Sequence, residues 1–251
     1  MTVPAGVPLH VRDHGGAGPA VLLLHGGGRD ADDWRLVVPH LRAGGRRVVA
    51  MDLRGHGLSG PGPWSWPAAL GDVAEVVAHL RLDRPAVVGH SLGGMVAALW
   101  AVEHPECPYA SNVDGHGSPR SPDDYAGYDA ETAQAAHRRV RAFYADLEAE
   151  STDPLLPEIV EAVAELDLFD VYRRTSCPLL IVSGRRLGFE HLLPAPVQEA
   201  FRAYRTRLVE NLAAVAADVP LVSLARLPTD HEVHLQEPAR LAELLLAHDP
   251  R

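Results

Sequence analysis

The chain has 251 residues, enough for one large α/β domain with a modest insertion, and its 47% hydrophobic and 22% charged residues are an ordinary globular balance. A formal net charge of −10, without any block of lysines and arginines, argues against a nucleic-acid partner and against an anionic membrane surface. The N-terminal stretch MTVPAGVPLHVRDHG lacks the basic and apolar regions of a secretory signal, and no apolar run approaches the roughly 20 residues of a membrane-spanning helix.

Apolar runs alternate with helical patterns along most of the chain. This alternation is typical of an α/β fold with a mostly parallel central sheet and helices on both faces. The predicted strands are residues 7–13, 20–25, 47–52, 85–90, 109–114, 178–183 and 220–225. The predicted helices of this alternating part are residues 67–82, 92–104, about 195–217, and 238–248.

The segment 115–175 breaks this alternation. It begins with GHGSPRSPDDYAGYD, which is rich in turn-forming residues, and continues as two helical patterns over about 130–150 and 155–172. An irregular stretch of this length inside a domain is commonly a functional insertion. We therefore predict that residues 1–114 and 176–251 form an α/β core and that residues 115–175 form a small helical cap.

The stretch GHSLGG at 89–94 places Ser91 between a strand pattern and a helix pattern. In this context G-x-S-x-G is typical of a tight turn that carries a nucleophilic serine, whereas the alternative is a serine that only caps the helix. A serine nucleophile needs a neighbouring base. His231, directly after the last strand pattern, is favoured as that base over His234, which we expect to be a packed or capping histidine because apolar residues flank it.

Four segments in this order resemble the α/β-hydrolase superfamily over essentially the whole chain. They are LLLHGGG at 22–28, MDLRGHGLSG at 51–60, GHSLGG at 89–94 and DHEVHLQEP at 230–238. The resemblance implies the fold, the chain order of serine, acid and histidine, and an active site at the C-terminal edge of the sheet. It also implies an oxyanion hole formed by the backbone N–H groups of Gly27 and Leu92, with Gly28 beside the substrate.

The DLRGHGLS part of the second segment contains residue types that look catalytic. In similar proteins this stretch is a conformational signature that shapes one wall of the site. We therefore expect a structural role and leave out of the catalytic set Asp52, Arg54, His56 and Ser59.

The carboxylate that would orient His231 has two candidates. The resemblance most often places it shortly after the strand that follows the cap, but that loop, SGRRLGFEHLLP, contains no Asp, and its first acid is Glu190. A second location among related hydrolases is the end of the strand before the cap, where YASNVD ends in Asp114. Asp114 is favoured because strand ends lie at the same edge as Ser91. Glu190, or no functional acid at all, is the alternative.

A serine nucleophile predicts an acyl-enzyme formed from an ester, lactone or thioester, without a metal or organic cofactor. A small, largely apolar substrate is expected because aromatic residues are available as pocket walls, each with ordinary packing as its alternative. They are Trp34, Tyr125, Tyr128, Phe143 and Tyr144. A C–C bond hydrolase, a biosynthetic cyclase or acyl transferase, and a receptor-like ligand-binding protein are the competing functions.

The two cysteines, Cys107 and Cys177, each precede a proline and have no metal-type spacing. Reduced thiols in a cytoplasmic protein are favoured, with one disulfide as the alternative. Arg202, Arg205 and Arg207 on the long helix near 195–217 are expected to form a solvated face, with recognition of a phosphate-bearing thioester as the alternative. The expected partner is a small-molecule substrate, without nucleic acid or membrane, and a homodimer is left open.

Overall fold

A twisted sheet forms the centre of the computed structural model, which describes residues 1–4, 6–186 and 193–250. Its strands are β1 (Thr2–Val3), β2 (Leu9–Asp13), β3 (Ala20–Leu24), β4 (Arg47–Met51), β5 (Ala86–His90), β6 (Ala110–Val113), β7 (Leu179–Gly184) and β8 (Val222–Leu227). They lie in the order β1-β2-β4-β3-β5-β6-β7-β8. Strands β3 to β8 are parallel to one another, whereas at one edge β2 is antiparallel to β4 and β1 is antiparallel to β2.

The helices in the described part of the chain occupy the connections between these strands. They are α1 (Val38–Ala43), α2 (Trp66–His79), α3 (Leu92–Glu103), α4 (Ala130–Glu150), α5 (Leu156–Glu165), α6 (Leu168–Arg173), α7 (Ala195–Asp218), α8 (Val233–Gln236) and α9 (Pro238–His248). None of them is both long enough and apolar enough to cross a lipid bilayer.

Most of these elements follow the sequence pattern, since every predicted strand is present with ends shifted by two residues or fewer. The helix predicted over 155–172 is two helices, α5 and α6, because the backbone is extended at Leu166. Asp167 then caps α6 by accepting from the N–H groups of Phe169 and Asp170. Helix α2 ends earlier than predicted because Arg81 adopts a left-handed conformation, with φ of 50°. The short β1, α1 and α8 carry no periodicity and were not predicted.

Two apolar layers cover the sheet, one on each face. In β3, Leu22 and Leu24 belong to the layer that contains residues of α2, α3, α6 and the C-terminal half of α7. Val21 and Leu23, which point the other way, belong to the layer formed with α1 and α9. All five residues of β3 are buried, which explains why this strand reads as a continuous apolar run.

The segment between β6 and β7 does not pack as one unit. Helix α6 packs on α3 within the first layer. Helix α4 instead shares a third apolar cluster with the N-terminal half of α7, which contains Ala136, Val140 and Phe201. The helical insertion is therefore present, but its outer layer includes part of α7, and the domain boundaries at 115 and 175 stay a prediction.

The parallel strands end together at one edge of the sheet. The register pairs Leu24 with Gly89 and His90 with Val113, so the residues after β3, β5 and β6 emerge side by side. Strand β8 ends at the same edge, because β7 pairs with it in parallel as far as Gly184 and Leu227. The HGGG loop, Ser91, Asp114 and the loop with His231 all follow strands that end at this edge.

Candidate active site

Ser91 occupies a strained turn between β5 and α3. Its φ and ψ angles are 51° and −116°, a region in which non-glycine residues are rare. The turn is tight enough that a Cβ atom on Gly89 would lie 1.9 Å from the carbonyl oxygen of Gly93, and one on Gly93 would lie 2.5 Å from that of Leu24. The glycines on both sides of the serine are therefore required by backbone contact.

Asp114 lies at the end of β6 and is 2% exposed. Its Oδ2 accepts a hydrogen bond of 2.9 Å from His231 Nδ1, which fixes the ring with Nδ1 protonated and leaves Nε2 as the free base. Its Oδ1 accepts from the Gly184 N–H at 2.9 Å and from Ser183 Oγ at 3.2 Å. Asp114 thus reaches from β6 to the end of β7 and holds His231.

The environment of Asp114 keeps its carboxyl group ionised. Burial by itself would raise its pKa, but the nearby His116 imidazole, the hydrogen bond from His231 and the charge of Arg205 outweigh burial and hold the pKa well below 3.8. The imidazolium that forms when His231 accepts a proton would therefore face a negative charge.

Ser91 and His231 face the same edge, although no hydrogen bond links Ser91 Oγ to the His231 ring among the contacts of the described residues. His90, which precedes the serine, lies with its ring centroid 4.6 Å from that of His231 and its Nε2 2.9 Å from the His231 carbonyl oxygen. Serine–histidine contacts in empty sites are commonly long and shorten when substrate binds.

The HGGG loop is held by a neutral histidine. His25 Nε2 accepts the Leu53 N–H at 2.9 Å, so the proton resides on Nδ1 and is donated to the Gly26 carbonyl at 2.6 Å. Burial lowers the pKa of His25 to about 4, which keeps this pattern at neutral pH. A Cβ atom on Gly27 would lie 3.8 Å from Leu92 Cδ2, so Gly27 lies beside the Leu92 side chain.

Gly28 follows these donors and has a φ angle of 69°, with no atom within 4 Å of the position of a Cβ. The loop therefore continues into open space at the point where we predicted contact with substrate. Glu190, the alternative acid, lies outside the described residues.

His234 is packed inside the protein, as its apolar neighbours indicated. It is fully buried, and its Nε2 donates to Asp33 Oδ2 at 2.9 Å. Its ring lies 4.2 Å from that of His90 and 5.2 Å from that of Trp34. His234 and Asp33 thus form a second histidine–carboxylate pair, which contacts the serine turn through the His90 ring.

Two of the predicted substrate-binding aromatics are core residues. Trp34 is 0% exposed in the layer with α1 and α9, and Tyr125 is 2% exposed in the cluster between α4 and α7. Neither presents a surface to a substrate, which corrects the prediction that they line the pocket. Tyr128 stacks on Tyr125 at 6.2 Å and is half-buried at the margin of the same cluster.

One group of side chains has the composition of a metal site. Asp33, His90 and His234 offer ligand atoms within 4.8 Å of one another. However, Asp33 Oδ2 already accepts from His234 Nε2 and, at 3.1 Å, from Arg29 Nε. A guanidinium on the same oxygen opposes a cation, so these residues fit a hydrogen-bonded network better than a metal site.

The DLRGHGLS segment is tied into the structure around it. Asp52 accepts the N–H groups of Ala31 at 2.7 Å and Leu58 at 2.8 Å. Arg54 makes a two-point ion pair with Asp72 at 2.7 and 2.8 Å. These contacts fix the loops beside the HGGG turn, which agrees with the structural role expected for this segment.

Arg205 is the site residue that the sequence analysis missed. It was expected on a solvated face of α7, but it is buried, and its Nη2 lies 3.3 Å from Asp114 Oδ1. The signal was present in the spacing, because Arg205 falls on the apolar face formed by Phe201, Leu208 and Leu212.

A cavity of about 620 Å³ lies beside this site, between α6 and α7 and the loop after β6. Its lining includes His116, Tyr204 and Leu208, but neither Ser91 nor His231. The volume is in the range of small-molecule sites, yet the cavity is separate from the serine turn, so we do not assign the substrate to it.

Parts of this chain are similar to proteins of known activity. Over 103 residues it is 39% identical to the dihydrolipoyllysine-residue acetyltransferase component of the acetoin cleaving system of Cupriavidus necator, a match that covers 40% of this chain and 27% of that protein. Over 99 residues it is 37% identical to the fluoroacetate dehalogenase of a Burkholderia species, covering 37% of this chain and 32% of that protein. The chain therefore spans about a third or less of these relatives.

The likeness of the whole chain is clearest in three dimensions. The enol-lactonase from Burkholderia xenovorans LB400 superposes with a TM-score of 0.66 at 20% identity, covering 97% of this chain and 96% of that chain. A model of the alpha/beta hydrolase fold family matches residues 19–167, more than half of the sequence. The predicted fold and family are thus confirmed, and the chain belongs to the alpha/beta hydrolase fold family.

Proposed function

We propose that this protein is a serine hydrolase that cleaves a carboxylic ester or lactone through an acyl-enzyme. The observation that carries the proposal is the 2.9 Å hydrogen bond between His231 Nδ1 and Asp114 Oδ2, at the sheet edge where the strained Ser91 lies. It supports a triad of Ser91, His231 and Asp114. Trp34 and Tyr125 are core residues and provide no apolar wall for the substrate.

The proposed reaction has two halves. In the first, His231 Nε2 takes the proton of Ser91 Oγ, the oxygen attacks the carbonyl carbon, and the Gly27 and Leu92 N–H groups stabilise the oxyanion. His231 then protonates the leaving alkoxide as the C–O bond breaks. In the second, His231 removes a proton from water, the hydroxide attacks the acyl-enzyme, and Ser91 recovers its proton as the carboxylic acid leaves. Asp114 stabilises the imidazolium in both halves.

The serine argues against the chemistry named for the dehalogenase relative. Displacing a halide from carbon requires a nucleophile whose product is an ester, since the ester carbonyl can then be hydrolysed. Ser91 would form an ether, which offers no carbonyl to water. Acyl transfer is the reaction for which a serine with a paired histidine is suited.

Activity towards a panel of p-nitrophenyl esters and lactones tests the proposal. We expect wild type to be active, Ser91→Ala to lose at least about a thousandfold in kcat, and Asp114→Asn to lose on the order of a thousandfold because the wrong histidine tautomer is held. Asp230→Asn is the matched control, since this acid adjoins His231 and caps the Glu232 N–H without a contact to the imidazole.

Three outcomes would contradict the proposal. Activity that survives Ser91→Ala would exclude the serine mechanism. Loss in Glu190→Gln with Asp114→Asn close to wild type would reassign the acid. No turnover of any ester, together with tight binding of a small apolar ligand, would favour a ligand-binding protein.

A further inference from the structure

Arg205 brings a permanent positive charge to the buried acid. Its side chain is 10% exposed, and its guanidinium Nη2 lies 3.3 Å from Asp114 Oδ1 and 3.5 Å from Ser183 Oγ. The same nitrogen donates to the Gly184 carbonyl oxygen. Arg205 thus holds the acid and the end of β7 together, through the carboxylate oxygen that His231 does not contact.

The other groups near Asp114 carry no permanent positive charge. His116 Nε2 lies 3.5 Å from Asp114 Oδ1, and the His231 ring contacts Oδ2. Tyr172 of α6 accepts from Asn112 beside the acid, and Tyr204 of α7 donates to the Gly117 carbonyl. His90 faces the His231 ring from β5, and burial lowers its pKa well below 6.5. Of the described residues that contact Asp114, Arg205 alone is always charged.

A cation at this place has two opposite effects on catalysis. It contacts the carboxylate at Oδ1 and also contacts Ser183 Oγ and the Gly184 carbonyl oxygen beside it, which helps to keep the imidazole oriented. It also shares this carboxylate with the imidazole, since Arg205 Nη2 contacts Oδ1 and His231 Nδ1 contacts Oδ2, so its charge opposes a positive charge on the ring. Arg205 therefore offsets part of the Asp114 charge, so that His231 faces a weaker negative charge than that of an isolated carboxylate.

We propose that Arg205 is a positioning residue that fixes the Asp114 carboxylate and disfavours protonation of His231, so that the base stays available at lower pH. The proposal rests on the triad proposed above. The charge of Arg205 would set the position of the acid limb of the pH profile. Its hydrogen bonds would set the orientation of the Asp114 carboxylate.

The pH dependence of kcat/KM for a p-nitrophenyl ester tests the proposal with Arg205→Gln, which loses the charge, and Arg205→Lys, which keeps it. We expect the acid limb of Arg205→Gln to move upward by about one pH unit, so that activity below the limb falls about tenfold beyond any loss on the plateau. We expect Arg205→Lys to lose plateau activity while its acid limb stays at the wild-type position. Arg202→Gln, which removes an exposed arginine bonded to Gln198 on the same helix, should match wild type throughout.

A folded Arg205→Gln with an unchanged acid limb would overturn the proposal, and so would an Arg205→Lys that shifts the limb as far as Arg205→Gln. If Arg205→Gln does not fold, Arg205→Lys is the remaining test: an acid limb at the wild-type position supports the proposal, and a shifted acid limb overturns it. An NMR titration of the His231 imidazole, identified by its loss in His231→Gln, gives the same comparison without turnover. A higher midpoint of the His231 titration in Arg205→Gln than in wild type then supports this inference even if no ester is hydrolysed. An unchanged midpoint counts against it.

Discussion

Two residues of the candidate triad adopt backbone conformations that side chains disfavour. Ser91 and Asp114 have φ angles of 51° and 50°. Each such residue costs on the order of 1–3 kcal/mol, and persists only where surrounding contacts determine it. The Ser91 N–H donates to Val113 at 3.0 Å and the Asp114 N–H donates to Val182 at 2.7 Å, so the neighbouring strands impose both conformations.

Gly93→Ala tests how strictly the serine turn is held. The added Cβ would lie 2.5 Å from the Leu24 oxygen and 2.6 Å from the His25 oxygen, both of them backbone atoms that cannot move without displacing the HGGG loop. We expect the variant to be less stable by about 1–3 kcal/mol and less active by about a hundredfold or more, measured by urea denaturation and by ester hydrolysis.

Gly71→Ala is its matched control, because Gly71 lies in α2 and no atom is within 4 Å of its Cβ position. Alanine should stabilise this helix by about 0.5–1 kcal/mol without changing activity. Full activity in Gly93→Ala would show that the HGGG loop does not depend on this close approach.

At the scale of elements, α7 links the sheet to the outer helical layer. Its N-terminal half, with Ala200 and Phe201, packs against α4, and its C-terminal half, with Leu208 and Leu212, packs against the sheet layer. Arg205 falls between these two halves, opposite the acid. The helix therefore both anchors the insertion and carries the cation that contacts Asp114.

Leu212→Ala tests the anchoring role of α7. Leu212 is 1% exposed in the sheet layer, so its truncation should leave a cavity and lower the free energy of unfolding by about 2–4 kcal/mol. Leu221→Ala, at a leucine that is 39% exposed, should change it by less than about 1 kcal/mol. If urea denaturation gives small and equal losses of unfolding free energy for Leu212→Ala and Leu221→Ala, α7 contributes little to the core.

At the scale of the whole molecule, several histidines are held neutral by burial. Burial lowers the pKa of His25 to about 4 and that of His90 well below 6.5, and it also lowers those of His14, His137 and His248. The unfolded chain therefore binds more protons than the folded one as pH falls below 6.5. The stability that each neutral histidine contributes is fully present above pH 6.5. It is lost as the pH falls from 6.5 toward the folded pKa of that histidine.

Urea denaturation at about pH 8 and about pH 5 measures this loss. His25 alone should contribute about 2 kcal/mol of lost stability between the two conditions, given an unfolded pKa of 6.5 and a folded pKa of about 4. His25→Gln should therefore lose less on acidification than wild type does. The exposed His79→Gln serves as the control and should keep the wild-type pH dependence. A wild-type stability that is flat across this range would contradict the neutral state of these histidines.

The sequence by itself determined the features that depend on neighbouring residues. The strand and helix positions, the GHSLGG turn around Ser91 and the HGGG loop follow from periodicity and from glycine spacing, which are local properties. The roles of His231 and His234 were also separable, because the apolar neighbours of His234 indicate that it points inward.

Only the tertiary structure decided the features that join distant segments. Asp114 and His231 are 117 residues apart, and their hydrogen bond depends on the register of β6, β7 and β8. The burial of Trp34 and Tyr125, and the placement of Arg205 on the acid, depend on how helices pack on the sheet. Hydrophobic spacing shows which face of a helix is buried, but the partner of that face is set by packing across the whole molecule.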